Sequence, residues 1–275
     1  MSGPWTPEEN AILIDRYMGR LQAHLRGEEV SVQDMLRELV PELPDRGFNS
    51  IGLKVANVSA YLTQLGSAVL PGSGMLPNGQ KSLIPLLQKA LADGVVDKAL
   101  EEAVEEPTPT PPSVWKRIDP PKSAGERIPA TPTGRRGFQR DFAREAKRQR
   151  DVGAAGEELV VSIHQKELRD AGRPDLAEKV ERVGGKRDGL GYDVHGFTPD
   201  GQELFIEVKT TVLDEHTPFY ASAAEVAASE EFGDTYRLYR VCGWGSDTVS
   251  YYVLSGPLSS NCTLTTTAYS CSPLG

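Results

Sequence analysis

Between residues 105 and 134 the chain reads "EEPTPTPPSVWKRIDPPKSAGERIPATPTG", and no other stretch constrains the fold as much. Proline fixes φ and carries no amide proton, so this density of it among polar residues suits neither a helix interior nor a central strand. The segment predicts an extended linker that does not pack. The 275 residues then divide into a helical domain over 1–105, a linker over 106–134 and a second domain over 135–275. Each domain is long enough to bury a core of its own.

Charged residues make up 25% of the chain and apolar ones 39%, the balance of a globular protein in water. No apolar run reaches the length that crosses a bilayer, and "MSGPWTPEEN" lacks the basic and apolar regions of a signal peptide. A cytoplasmic protein without a membrane partner is expected. Cys242, Cys262 and Cys271 form no C-x-x-C pair, which argues against both a disulfide framework and a thiolate zinc site. His24, His164, His195 and His216 show no H-E-x-x-H spacing, so zinc chemistry is not expected.

In the first domain, "WTPEENAILIDRYMGRL" carries Thr6 as a helix cap, Pro7 at the first helical position and Glu9 to complete a capping box, with Gly27 as a stop. A second helix starts near Ser31 and ends at "VPELP". A third is marked by Ile51, Val55, Val58, Leu62 and Leu65, a stripe that has to bury against another helix. "KSLIPLLQKALADGVVDKALEEAVEE" predicts one more helix or a broken pair, interrupted at Asp93 and Gly94. Periodicity of this kind implies a bundle core and by itself no function.

After the linker comes "RRGFQRDFAREAKRQRDVG". Residues 111 to 150 hold eleven Lys plus Arg against four Asp plus Glu, a local +7 in a chain of net −9. Such a run fits a solvated helix face and a phosphate contact equally. The contact residues in the second case are Arg135, Arg136, Arg140, Arg144, Lys147 and Arg148. "AAGEELVVSIHQKELRDAG" predicts a helix with Leu159, Val160, Ile163 and Leu168 inward and Glu157 in its first turn, where the helix dipole favours a carboxylate. Pro174 opens a short helix, and "GGKRDGLGYD" is a glycine-rich approach to a strand.

Asp193 to Phe197 and Glu203 to Val212 are then two strands joined at "TPDGQ". A three-residue loop pairs Thr198 with Gln202, and counting back sets Asp193 opposite Glu207. Strand alternation puts Glu207 and Lys209 on one face and Ile206 and Val208 in the core. Two carboxylates about 5 Å apart repel by roughly 3 kcal/mol at an effective dielectric near 20. Either Lys209 neutralises the pair as an ordinary surface cluster, or the acids hold a divalent hard cation and Lys209 acts beside it. Spacing alone does not choose, although charges inside the apolar "LFIEVKTTV" are costly unless they have a use. Glu225, three after Ser222, reads as a capping box rather than a substrate contact. His195 is expected on the face opposite Asp193 or at the rim. "DTYRLYRVCGW" and "TVSYYVL" predict two further strands.

Asp193, Glu207 and Lys209 in this arrangement resemble the signature of the PD-(D/E)XK nuclease superfamily. More closely, residues from about 138 to 275 resemble the family named for the C-terminal domain of the plant protein NO VEIN. The matching segments are "GEELVV", "GLGYDV", "FIEVKTT", "TPFYASAAEV" and "YRLYRV". The resemblance implies an α+β, restriction-endonuclease-like fold, a mixed sheet flanked by helices and preceded here by the small all-α domain. It carries Asp193 and Glu207 over as ligands of Mg²⁺ or Mn²⁺, Lys209 as the catalytic lysine, and Glu157 as an accessory acid. His164 departs from the family, whose helix often has a second acid there. "WTPEEN", "RGFNSIGLKVANVSAYL" and "NGQKSL" are similar to a region that precedes this domain in bacterial proteins.

The expectation is a metal-dependent DNA endonuclease of a restriction or anti-phage system, its helical domain selecting the DNA. A noncatalytic DNA-binding or sensing module that keeps the nuclease fold is the alternative, and an adaptor working through the Ile51 to Leu65 stripe is a third reading. The oligomeric state stays open, a homodimer included.

Overall fold

The structure is a computed structural model and describes residues 3–26, 28–92, 114–121, 142–183, 189–217, 219–245 and 249–264, with 142–151 described by backbone alone. The described chain packs as two compact units, one of residues 1–155 with 210–219 and 241–251, the other of 156–209, 220–240 and 252–275.

Among its described residues the first unit includes the helices α1 (Pro7–Leu25), α2 (Val32–Glu42), α3 (Phe48–Gln64) and α4 (Leu83–Ala92). The Thr6 capping box is present with Pro7 behind it, and Ser31 caps α2 through the Asp34 N–H. The stretch beyond Ala92, where the broken helix was expected, lies outside the described residues. Leu13, Tyr17 and Leu21 of α1 meet Met35 and Leu39 of α2, Ile51, Val58 and Leu62 of α3, and Leu83 and Leu87 of α4 in one core. Tyr17 is fully buried, and its hydroxyl accepts the Leu70 N–H at 2.9 Å while bonding Ser59 Oγ at 2.9 Å. Tyr17→Phe strands that amide, so we expect a loss of about 1–3 kcal/mol in urea unfolding with no change in helix content.

The remaining elements are β1 (Trp115–Arg117), α5 (Phe142–Asp170), α6 (Pro174–Ala177), β2 (Glu181–Arg182), β3 (Val194–Phe197), β4 (Glu203–Thr210), α7 (Ala223–Phe232), β5 (Tyr236–Cys242), β6 (Val249–Ser255) and α8 (Leu258–Asn261). Among the described residues six strands form one sheet in the order β1-β6-β5-β4-β3-β2. β1 runs parallel to β6, whereas β2 with β3 and β3 with β4 are antiparallel, so the sheet is mixed and the fold is α+β.

Two expectations are corrected here. The proline-rich segment does contribute to packing: Trp115 pairs with Val249, and the Ile118 N–H donates to the Tyr251 carbonyl at 2.8 Å. The prolines of the segment flank "VWKRI" and leave its amides free to pair at an edge. Helix α5 also starts at Phe142 rather than near Ala154, so Glu157 lies in its interior and not in its first turn. "FAREAKRQR" is rich in strong helix formers without proline, and a single glycine at 153 costs too little to stop propagation.

Candidate active site

The hairpin β3–β4 positions the site. Its turn is closed by the Thr198 N–H donating to the Gln202 carbonyl at 2.8 Å, and Gly201 supplies the positive φ of 94°. Val194 pairs with Ile206 and Phe197 with Glu203, so the next step places Asp193 opposite Glu207. Asp193 stands one residue before β3, its N–H on the Ile206 carbonyl at 2.8 Å, and β4 ends at Thr210 rather than Val212. Leu204, Ile206 and Val208 are buried on the core face. Phe205, Glu207 and Lys209 occupy the other face by alternation.

Glu207 is 3% exposed, an expensive place for a carboxylate. The Lys209 ammonium lies 2.8 Å from Glu207 Oε1 and 2.7 Å from Glu225 Oε2. Asp193 Oδ2 accepts the Val208 N–H at 2.9 Å, and its carboxyl and that of Glu207 are near enough to act on each other's titration. Burial pushes Glu207 well above the ordinary carboxylate range; Lys209 opposes this, and the charges of Asp193 and Glu225 add to it. Burial also raises Asp193, against the Val208 amide and Lys209. The pair therefore retains a proton above the pH at which free carboxyls lose theirs. Burial alone would lower Lys209, but Glu207 and Glu225 carry it above its usual value and the side chain stays charged. Tyr236, fully buried, donates to the Gly191 carbonyl at 3.3 Å. Burial first, then Glu207, Glu225 and Asp193, push its phenol up.

Asp193, Glu207 and Lys209 are thus together on one face. Glu157 is raised mainly by burial and further by the charge of Asp193, while its Oε2 is bound by Arg182 Nε. Arg135, Arg136 and Arg140 lie outside the described residues. Arg144, Lys147 and Arg148 fall in the part of α5 described by backbone alone.

His195 is not on the face opposite Asp193. Residues two apart on a strand share a face, and its ring packs at 5.1 Å from Phe197 and 5.8 Å from Phe205, with Nε2 3.5 Å from Glu203. His164 is the histidine on the far face. A Cβ on Gly196 would meet its ring at 2.7 Å, and its Nε2 accepts the Phe197 N–H at 3.2 Å. That imidazole fills core space beneath the hairpin, which accounts for a non-acid there.

Sequence reasoning missed two members. Glu225 forms the expected capping box with Ser222, but the same carboxylate also holds Lys209. A cap glutamate and a site glutamate look alike in one dimension, and only its place in "TPFYASAAEV" hinted at more. Arg182 carried no signal, since nothing in its spacing points to Glu157.

Five carboxylates, Glu157, Glu158, Asp193, Glu207 and Glu225, surround two cations, Arg182 and Lys209, so the cluster is acidic when all are ionised. Among the described residues no group of three or more His, Cys, Asp or Glu side chains is arranged to hold a metal ion. The available donors are the hard oxygens of one opposed pair, Asp193 and Glu207. This suits Mg²⁺, which is commonly held through one or two carboxylates while keeping waters, and a dication would offset part of the acidic charge. No helix among the described residues is long and apolar enough to cross a membrane.

Comparison with curated proteins and with solved structures finds no match. A family model does match, over the stretch that holds Glu157, Asp193, Glu207, Lys209 and Glu225. Residues 156–253 match the model described as "Protein NO VEIN, C-terminal", so this stretch of the chain is similar to that family.

Proposed function

We propose that the chain is a metal-dependent DNA endonuclease that hydrolyses phosphodiester bonds, of the kind used in restriction or anti-phage defence. The observation that carries the reading is the register: Asp193 opposite a buried Glu207, with the Lys209 ammonium 2.8 Å from the latter. Asp193 and Glu207 would hold Mg²⁺ or Mn²⁺. Such a cation polarises a scissile phosphate and lowers the pKa of an attacking water. Lys209 acts as a fixed positive charge against a phosphate oxygen and orients the water; its ammonium is already engaged by two carboxylates and is no proton acceptor. Glu157, steadied by Arg182, stands behind Asp193 as an accessory acid. Arg135 to Arg150 would contact phosphates and position the duplex, and the helical domain would select the DNA.

The noncatalytic DNA-binding reading draws support from the ligand set, which among the described residues stops at two carboxylates. Cleavage of plasmid and linear DNA with Mg²⁺, Mn²⁺ or chelator decides between them. The endonuclease reading expects metal-dependent cutting that falls about a hundredfold to a thousandfold in Lys209→Ala. Metal-independent DNA binding without any cutting would establish the alternative.

A further inference from the structure

Helix α7 touches the site twice. At its start, Glu225 Oε2 accepts both the Ser222 N–H at 3.0 Å and the Lys209 ammonium at 2.7 Å, while Ser222 Oγ accepts the Glu225 N–H at 3.2 Å. Over the same first turn and the next, the helix lies against the loop that leads to Asp193. A Cβ on Gly191 would stand 2.7 Å from the Ala224 carbonyl oxygen and 2.6 Å from the Ala228 Cβ. At its end Phe232 stacks on Phe205 of β4 with centroids 3.8 Å apart. The helix is therefore held at a set height over β4, and its first carboxylate is held with it.

Lysine has a flexible four-carbon stem and three donor protons. Glu207 takes one and Glu225 takes a second, leaving one for a phosphate oxygen. Without Glu225 the ammonium would keep its ion pair with Glu207 and be drawn toward Asp193, the carboxyl opposite Glu207 on which its charge already acts. It would then spend on the carboxylate pair the charge that a dication and a phosphate would otherwise meet.

We propose that Glu225 is a positioning residue: it tethers the Lys209 ammonium away from Asp193, so that the Asp193–Glu207 pair stays open to a cation and one lysine proton stays aimed at substrate. This rests on the endonuclease reading above. Glu225 thus serves two ends, helix cap and lysine tether, and two substitutions separate them. Glu225→Gln keeps an oxygen for the capping box but loses the charge, whereas Ser222→Ala loses the other half of the cap and leaves the tether.

The test measures cleavage kinetics with Mg²⁺ and thermal unfolding without metal, for the full chain, both variants, Lys209→Ala and Lys209→Ala/Glu225→Gln. We expect Glu225→Gln to lower kcat about a hundredfold with KM little changed and the unfolding midpoint near wild type. Ser222→Ala should do the reverse, and the double variant should cut no worse than Lys209→Ala. The proposal is overturned if the two single variants lose midpoint and kcat in parallel, or if the Glu225→Gln loss adds in full to that of Lys209→Ala. Should the wild-type chain cut nothing, the endonuclease reading falls by itself. The metal-free unfolding cycle then decides the tether: coupling between residues 209 and 225 supports it, and additivity ends it.

Discussion

Glu207→Gln is expected, on the endonuclease reading proposed above, to do two opposite things: abolish divalent-ion binding and cleavage, and make the metal-free protein more stable at neutral pH. The carboxylate is 3% exposed, faces Asp193, and shares one lysine with Glu225. Its pKa in the folded state is raised, chiefly by burial, above the 4.5 it has when exposed. Above that value the folded protein holds a proton that the unfolded chain has released. Stability therefore falls as pH rises from about 4.5 toward the folded pKa, and it does not recover at neutral pH. The amide is neutral throughout and still offers an oxygen to Lys209. Urea unfolding should show a gain of about 1–3 kcal/mol at pH 7 and a flatter pH dependence than wild type between mild acid and neutrality. Calorimetry with Mn²⁺ should show no uptake, and cleavage should drop about a thousandfold. A variant that loses stability at every pH, or that still takes up the ion, contradicts the proposed role of Glu207 as a strained ligand.

Gly191→Val is expected to be the most damaging change outside the charged groups. Gly191 has φ +74°, a conformation that costs a side-chain-bearing residue about 1–2 kcal/mol. Its missing Cβ would also collide with the backbone of Ala224 and the methyl of Ala228. Neither is the loose end of a flexible side chain, so the loop or the helix has to move. Overpacking of that kind costs about a further 1–3 kcal/mol. Movement would also take the Gly191 carbonyl from Tyr236 and shift Asp193, two residues on. We expect a combined loss of about 3–5 kcal/mol in urea unfolding, with cation binding weakened in whatever protein stays folded. Gly189→Ala is the control. That glycine also has positive φ, at 90°, but open space around it, so only the smaller conformational cost should appear.

Much of the site could be read in one dimension because the rules that place it are local. A three-residue turn at "TPDGQ" sets the register, the register sets Asp193 against Glu207, and alternation sends Lys209 to the same face. The caps at Thr6, Ser31 and Ser222 followed from side chains that bond amides three residues away. His195 was open to the same reasoning, since the alternation that joins Glu207 to Lys209 also joins it to Asp193. The start of α5 was misplaced because a glycine-containing stretch with strong formers on both sides gives no local stop.

By itself, then, the chain's order of residues determined the hairpin, its register and the opposed acids, through interactions that span a few residues and depend on φ, ψ and alternation alone. Tertiary structure alone decided that Glu225 reaches Lys209, that Arg182 holds Glu157, that α7 rests on Gly191 and that Trp115–Arg117 joins the sheet. Those contacts join segments far apart in the chain. Which partner a charge or an open strand edge finds there depends on how whole elements pack, and no short-range periodicity records it.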